Sequence, residues 1–241
     1  MLVEGAGPLR VLKVFSVPKR DDAPNEDRCC ISADSTSCAV SDGASISFDS
    51  RPWAEVLCRK FIESSDITPK WLEAAVNEYE LAYDRDAMSW SHQAAFDRGS
   101  FATLLGVVCS LDGQAARIFA LGDTLLAFVD NGQVVRTIPY VQPDEFDKAP
   151  ILLSTNRLEN RLLNQEAIND AWCDLVLASH ETPALLLMTD AIGRWLLDDP
   201  SPDRVSMLLS LQDAHSFGEF IERERAEGRL KRDDSTLVVV G

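Results

Sequence analysis

The sequence is short of basic residues: 23 Lys and Arg stand against 39 Asp and Glu, a formal net charge of -16, so its long-range field repels nucleic-acid backbones and anionic membrane surfaces. Neither is expected as a partner. No apolar run approaches bilayer-spanning length, and the start MLVEGAGPLR lacks the basic-then-apolar layout of a secretory leader, which sets a cytoplasmic location as the expectation. Histidine is scarce, with three copies, and neither CxxC pairs nor His-x-x-x-His spacings occur, so structural zinc has no support. No cysteine precedes an arginine by six positions, which excludes the cysteine-dependent route to phosphoester cleavage. GxSxG elbows and Gly-rich phosphate loops ending in Gly-Lys-Ser/Thr are missing as well. The six cysteines (29, 30, 38, 58, 109, 173) lie mostly within apolar segments and read as reduced core residues. There is no internal repeat and no low-complexity linker, so residues 1–241 are read as a single domain.

What is present is a set of short β-prone runs and amphipathic stretches. Residues 11–17, 28–32 and 38–41 read as strands. Ser50 as a cap and Pro52 open a helix carrying Trp53, Val56, Leu57 and Phe61 at helical spacing; Thr68-Pro69 opens a second with Leu72, Ala75, Val76, Tyr79 and Tyr83 on one face. Residues 101–109, 115–121, 125–129 and 134–138 are apolar runs separated by Asp-Gly, Gly-Asp and Asn-Gly, which reads as an antiparallel meander. A helix over 158–166, strands over 173–178 and 184–188, and a helix pair follow. The last helix is given a Ser216/Glu219 capping box and Gly228 as its stop, ahead of a final strand over 235–240. The class is α+β, with sheets packed together and helices outside.

The chemical signal is at the strand ends. CAVSD runs into Asp42, IFALGD into Asp123 and LLLMTD into Asp190, while RDDSTLVVV emerges from Asp233 and Asp234. One such carboxylate is an ordinary turn or cap residue. Several at one edge of a sandwich repel one another unless protonated or neutralised by cations, and oxygen-only donors select hard ions, Mg²⁺ or Mn²⁺.

Six segments in order, NED (25–27), SDGAS (41–45) with the following Trp53-Ala54, GSFATLLGVV (99–108), LGD (121–123), LLLMTD (185–190) and DDSTLVVV (233–240), resemble the motifs of type 2C metal-dependent protein phosphatases, in a bacterial-like form. The resemblance implies a four-layer sandwich, two antiparallel sheets face to face and flanked by helices. It implies a phosphoserine/phosphothreonine phosphatase in which a hydroxide bridging two Mn²⁺ or Mg²⁺ ions attacks phosphorus, with a phosphorylated protein as substrate and no covalent enzyme intermediate. In that pattern Asp42 bridges both ions, Asp190 and Asp233 hold the first, Glu26 and the Gly43 carbonyl serve the second, Asp27 orients a water, and Asp123 helps hold a third. The sequence departs from the pattern at three places. Ala44 stands where some members have a histidine able to protonate the leaving group, and Ala191 follows Asp190 in place of glycine. The usual phosphate-binding arginine position, four before Glu26, is Asp22; Arg20 is the nearest substitute and is assigned that role, with Lys19 and Arg28 behind it. The alternatives are a catalytically weak type 2C fold kept as a regulatory or partner-binding module, and another metal-dependent hydrolase or nuclease. The sequence gives no oligomeric state.

Overall fold

A computed structural model describes residues 8–241; most of the MLVEGAGPLR start lies outside the described residues. Two five-stranded antiparallel sheets carry the fold. The strands in chain order are β1 (Val11–Val17), β2 (Arg28–Ile31), β3 (Ser37–Ser41), β4 (Phe101–Ala102), β5 (Leu104–Cys109), β6 (Ala115–Leu121), β7 (Leu125–Asp130), β8 (Gln133–Ile138), β9 (Leu153–Ser154), β10 (Trp172–Val176), β11 (Ala184–Met188) and β12 (Ser235–Val240). One sheet has the order β1-β12-β11-β7-β8, the other β10-β6-β5-β3-β2, and β4 pairs with β9 in a two-stranded sheet and bridges Gly43 through Ala102.

The central strands are apolar on both faces, and the period of two divides those faces between layers. Leu185 and Leu187 of β11 pack with Val238, Leu126, Val107 and Ile118 between the two sheets. Leu186 and Met188, on the opposite face of β11, pack under α5 (Asp190–Asp198), α6 (Pro202–Ser210) and α7 (Ala214–Ala226) through Trp195, Leu208, Phe217 and Phe220. On the far side α1 (Ser50–Glu63) and α2 (Pro69–Glu80) lay Trp53, Leu57, Phe61, Leu72 and Tyr79 over Ala39, Leu104 and Phe119. These are the four expected layers. Two further helices are α3 (Trp90–Arg98) and α4 (Gln165–Asp170).

Several local expectations are corrected. The four runs from 101 to 138 do not form one meander: β5 and β6 pair in one sheet, β7 and β8 in the other, and the chain changes sheets at Gly122-Asp123. Gly122, at φ +107°, turns the corner hard against Thr103. Asp49 is the first cap of α1, and Ser50 is its first helical residue, with the hydroxyl given to Glu26. Residues 158–166 hold a 3-10 turn, Glu159–Leu162, before α4, which Asn164 caps. Three helices, not two, follow β11, and Asp213 caps α7 with Ser216 as its N3 partner. Gly228 does end that segment, at φ +70°.

Within the last helix Glu224 is buried and accepts from Trp195 Nε1 at 2.9 Å and from Arg229 Nε and Nη2 at 2.7 and 2.8 Å. Burial opposes its charge, yet the Arg229 guanidinium comes first in holding its carboxyl down to about 2 from the ordinary 4.5. The folded value lies below the unfolded one, so the stabilisation is complete above pH 4.5 and is lost as pH falls toward about 2. Glu224→Gln is expected to cost about 2 kcal/mol at neutral pH. In urea unfolding its deficit against the parent should shrink through that acid window; a deficit independent of pH would mean that the charge contributes nothing.

Candidate functional site

Alternate strands of an antiparallel sheet end at the same edge, and here the ends of β1, β3, β6 and β11 and the beginnings of β2 and β12 share one. That edge brings Asp42, Asp123, Asp190 and Asp233 together with Glu26 and Asp27. Asp42, Gly43, Ser45, Thr103, Asp123 and Asp233 line a hollow of about 290 Å³. Asp27 and Asp190 lie beside it, and both add to the electrostatic load on Asp42.

Each acid is fixed by its neighbours. Thr103 grips the Asp42 backbone, accepting from its N–H at 2.8 Å through Oγ1 and donating its own N–H to its carbonyl at 2.9 Å. Gly43 has no room for a side chain, since a Cβ there would lie 2.9 Å from Ser50 and 3.1 Å from the Glu26 carbonyl. Asp27 is buried, and its Oδ2 accepts from the hydroxyls of Thr236 at 2.7 Å and Thr189 at 3.0 Å. Glu26 accepts from Ser50 Oγ at 2.9 Å, from Lys19 Nζ at 2.8 Å and from Ser45 Oγ. Those donors outweigh burial and hold its carboxyl below the usual range.

The remaining carboxyls are pushed the other way. Burial first, then the neighbouring acids, raises Asp27 to about 8, Asp123 to about 6 and Asp42 well above the usual range. Asp190 is raised chiefly by burial, against the pull of Lys231. Asp27 Oδ1 and Asp190 Oδ1 are buried without a hydrogen-bond partner among the described residues. Orphaned carboxylate oxygens and raised carboxyls are the condition that hard cations relieve, and the donor set suits Mn²⁺ or Mg²⁺. Among the described residues, however, no three Asp, Glu, His or Cys side chains already form a group ready to hold an ion. The ammonium of Lys231 stands between two of them, 3.0 Å from Asp190 Oδ2 and 2.8 Å from Asp233 Oδ2.

Arg20 is not brought to the acids. Lys19 and Arg20 lie in the bend after β1, where the Ala23 N–H donates to the Arg20 carbonyl at 3.1 Å, and their side chains part there. Lys19 Nζ reaches Glu26 and Ser45, whereas Arg20 turns outward, 65% exposed, and pairs with Asp22 at 3.5 Å. Arg28 is turned to Glu55 and the carbonyls of Asn25 and Asp27.

The roles of three supporting residues, Asp234 among the strand-end acids and also Arg225 and Lys231, are not given by the sequence. Asp234 is buried and accepts from the backbone N–H of Lys19 at 2.6 Å and of Glu26 at 2.8 Å, tying β12 to the Lys19–Glu26 loop. Arg225 donates to the carbonyls of Pro18, at 3.3 Å, and Asp233. Lys231 is the third. The doubled Asp of RDDSTLVVV was the one visible signal, because successive residues entering a strand face opposite ways and so take different tasks.

The profile of protein phosphatase 2C matches residues 19–231. No sequence among the curated proteins matches. The catalytic domain of the serine/threonine protein phosphatase PstP, solved with two manganese ions, is 18% identical with a TM-score of 0.62, covering 98% of each chain. A bacterial serine phosphatase is 13% identical with a TM-score of 0.60, covering 95% of this chain and 96% of that one. The Mycobacterium tuberculosis phosphatase PstP/Ppp is 18% identical with a TM-score of 0.53, covering 97% and 98%. At such identities the likeness is one of fold. Among the described residues no helix is long and apolar enough to cross a membrane.

Proposed function

The chain belongs to the protein phosphatase 2C family, and from that membership we propose that it hydrolyses phosphoserine and phosphothreonine in proteins with two Mn²⁺ or Mg²⁺ ions. The observation that carries the reading is the meeting of Asp42, Asp123, Asp190 and Asp233 at one sheet edge, with buried oxygens lacking a partner. Asp42, Asp190 and Asp233 would hold one ion, Asp42, Glu26 and the Gly43 carbonyl the other, and Asp123 a third. When bound, such ions supply the Lewis acidity that activates water and neutralises phosphoryl oxygens.

The rest falls to the chain itself. Asp27, pinned at Oδ2 by two threonines, keeps Oδ1 to orient the attacking water. Lys19, at the mouth of the site with Ser45, takes the phosphate-gripping role first assigned to Arg20. With Ala44 in place of a histidine, the leaving alkoxide takes its proton from solvent. A hollow of about 480 Å³ adjoins the acidic one through Ile46, with Phe48, His92, Arg98 and Phe101 on its walls, and offers room for polypeptide flanking the phosphorylated residue.

One observation favours the reading of a weak, partner-binding module: lysine ammoniums already sit on Glu26, Asp190 and Asp233. Hydrolysis of an aryl phosphate at saturating Mn²⁺ separates the two. Turnover should appear with Mn²⁺ and vanish in excess chelator; full turnover in chelator would sink the metal-dependent reading. In the same assay Lys19→Ala should lower kcat/KM about 10- to 100-fold, the loss of one charge-assisted contact, while Arg20→Ala stays within about twofold of the parent. A silent Lys19→Ala would remove Lys19 from the substrate.

A further inference from the structure

Lys231 carries a consequence that the phosphatase pattern does not contain. Its ammonium is within hydrogen-bonding distance of Asp190 Oδ2 and Asp233 Oδ2, carboxylates from segments 41 and 2 residues away in the chain. Asp190 is 16% exposed and Asp233 29%, so this pairing is made at the wall of the site and is more than a solvated surface contact.

The surrounding segment holds the lysine in reach and leaves its side chain open to solvent. Leu230 is sunk into the layer under α7, the backbone N–H groups of Arg229 and Leu230 both donate to the Glu224 carbonyl, and Asp233 N–H closes on the Lys231 carbonyl at 3.0 Å. The Lys231 side chain is 58% exposed. Such a tether presents a solvent-reachable cation beside a pair of acids.

We propose that Lys231 is a built-in competitor for the first metal ion: its ammonium neutralises the Asp190–Asp233 pair and must be displaced into solvent before a divalent cation can take the same oxygens. The inference rests on the metal-binding reading of these two acids. A divalent ion binds carboxylate oxygens at about 2.0–2.2 Å, and an ammonium left within 3 Å of the same oxygens would face it with like charge. The two occupants therefore exclude each other. Two consequences follow for the protein: the acidic edge is charge-compensated before metal arrives, and the first ion binds more weakly than the bare carboxylates would allow. Occupancy then responds to the free metal concentration and is not permanently saturated.

The test is calorimetric titration of the full chain with Mn²⁺ at fixed pH and moderate salt, for the parent, Lys231→Met, Lys231→Gln and Lys231→Arg. Lys70→Met, on the exposed start of α2 in the opposite outer layer, matches the loss of charge at a distance. Circular dichroism verifies folding, and either neutral variant that remains folded serves. The expected result is about tenfold tighter Mn²⁺ binding when Lys231 is neutral, with Lys231→Arg and Lys70→Met close to the parent. Melting in chelator should also fall for the neutral variants, whose acids lose their internal counter-ion. If the parent binds Mn²⁺ and the neutral variants bind it equally or more weakly, the proposal is overturned while the phosphatase reading stands. If neither parent nor variant binds Mn²⁺, both fail.

Discussion

Asp42→Asn, Asp190→Asn and Asp233→Asn are each expected to reduce Mn²⁺-dependent turnover about a thousandfold, equivalent to about 4 kcal/mol of transition-state stabilisation. The three acids come from the end of β3, the end of β11 and the approach to β12, and only the packing of the two sheets brings them together. Asn preserves the size of Asp and removes its charge, so metal affinity should fall without unfolding. Burial and the neighbouring acids hold Asp42 well above the usual carboxylate range, and its neutral replacement should leave the metal-free protein as stable as the parent or more so. Double replacements should be far from additive, because a site broken once has little left to lose. Asp198 and Asp199 follow Asp190 closely in sequence but lie exposed at the far end of α5, and Asn at either should be near neutral. Turnover and Mn²⁺ calorimetry on all five single variants decide the matter: unchanged Mn²⁺ affinity in Asp190→Asn and Asp233→Asn would show that these acids share no ion.

The carboxylates were legible in the sequence because each adjoins an apolar run, and an apolar run that stops at an acid is a strand leaving the core. The bounds of β1 and β12 were legible for the same reason, closed by Pro18 on one side and by the paired Asp233-Asp234 on the other. The change of sheet at Gly122 was not. A Gly-Asp step between two apolar runs has one appearance whether the second strand pairs with the first or crosses to the facing sheet, and what decides is the closeness of Thr103 to Gly122. The short helix α3 escaped because none of its residues is fully buried, so no apolar stripe marks it. Of the cations, Arg20 resembled a phosphate ligand by chain position, yet it stands where the chain bends into a turn closed by the Ala23 N–H on its carbonyl, and chain position does not give the direction of a side chain there. Lys19 faces Glu26 while Arg20 faces solvent. Lys231 stood two residues from a recognised acid, and only the turn between Gly228 and β12 reveals that it points back at that acid and at Asp190.

Gly106→Ala is expected to destabilise the protein by about 3 kcal/mol although it adds a single methyl group. Gly106 lies in the middle of β5, opposite Ala39 of β3 and Phe119 of β6, where a glycine marks either a bulge or a close approach. The register runs through it without a shift, so close approach is the explanation. A Cβ at this position would lie 2.2 Å from Cζ of Phe61, and the ring of Phe61 is fully buried on the inner face of α1, stacked near Trp172 with centroids 6.2 Å apart. Two effects oppose each other. At an ordinary strand conformation, replacing glycine by alanine reduces the entropy of the unfolded chain and favours folding by about 0.4–1 kcal/mol. Against it, a close-packed interior requires the ring, and with it α1, to move by more than 1 Å, or the ring to leave its rotamer. The second effect is the larger because Phe61 has helix above it and sheet below. Phe61→Leu alone should cost about 1–2 kcal/mol for lost burial, but in the Gly106→Ala background it should restore stability by clearing the space that the methyl needs. Urea unfolding of the two single variants and the double measures this coupling. A Gly106→Ala protein as stable as the parent would mean that the ring yields at no cost and that glycine here serves some other end.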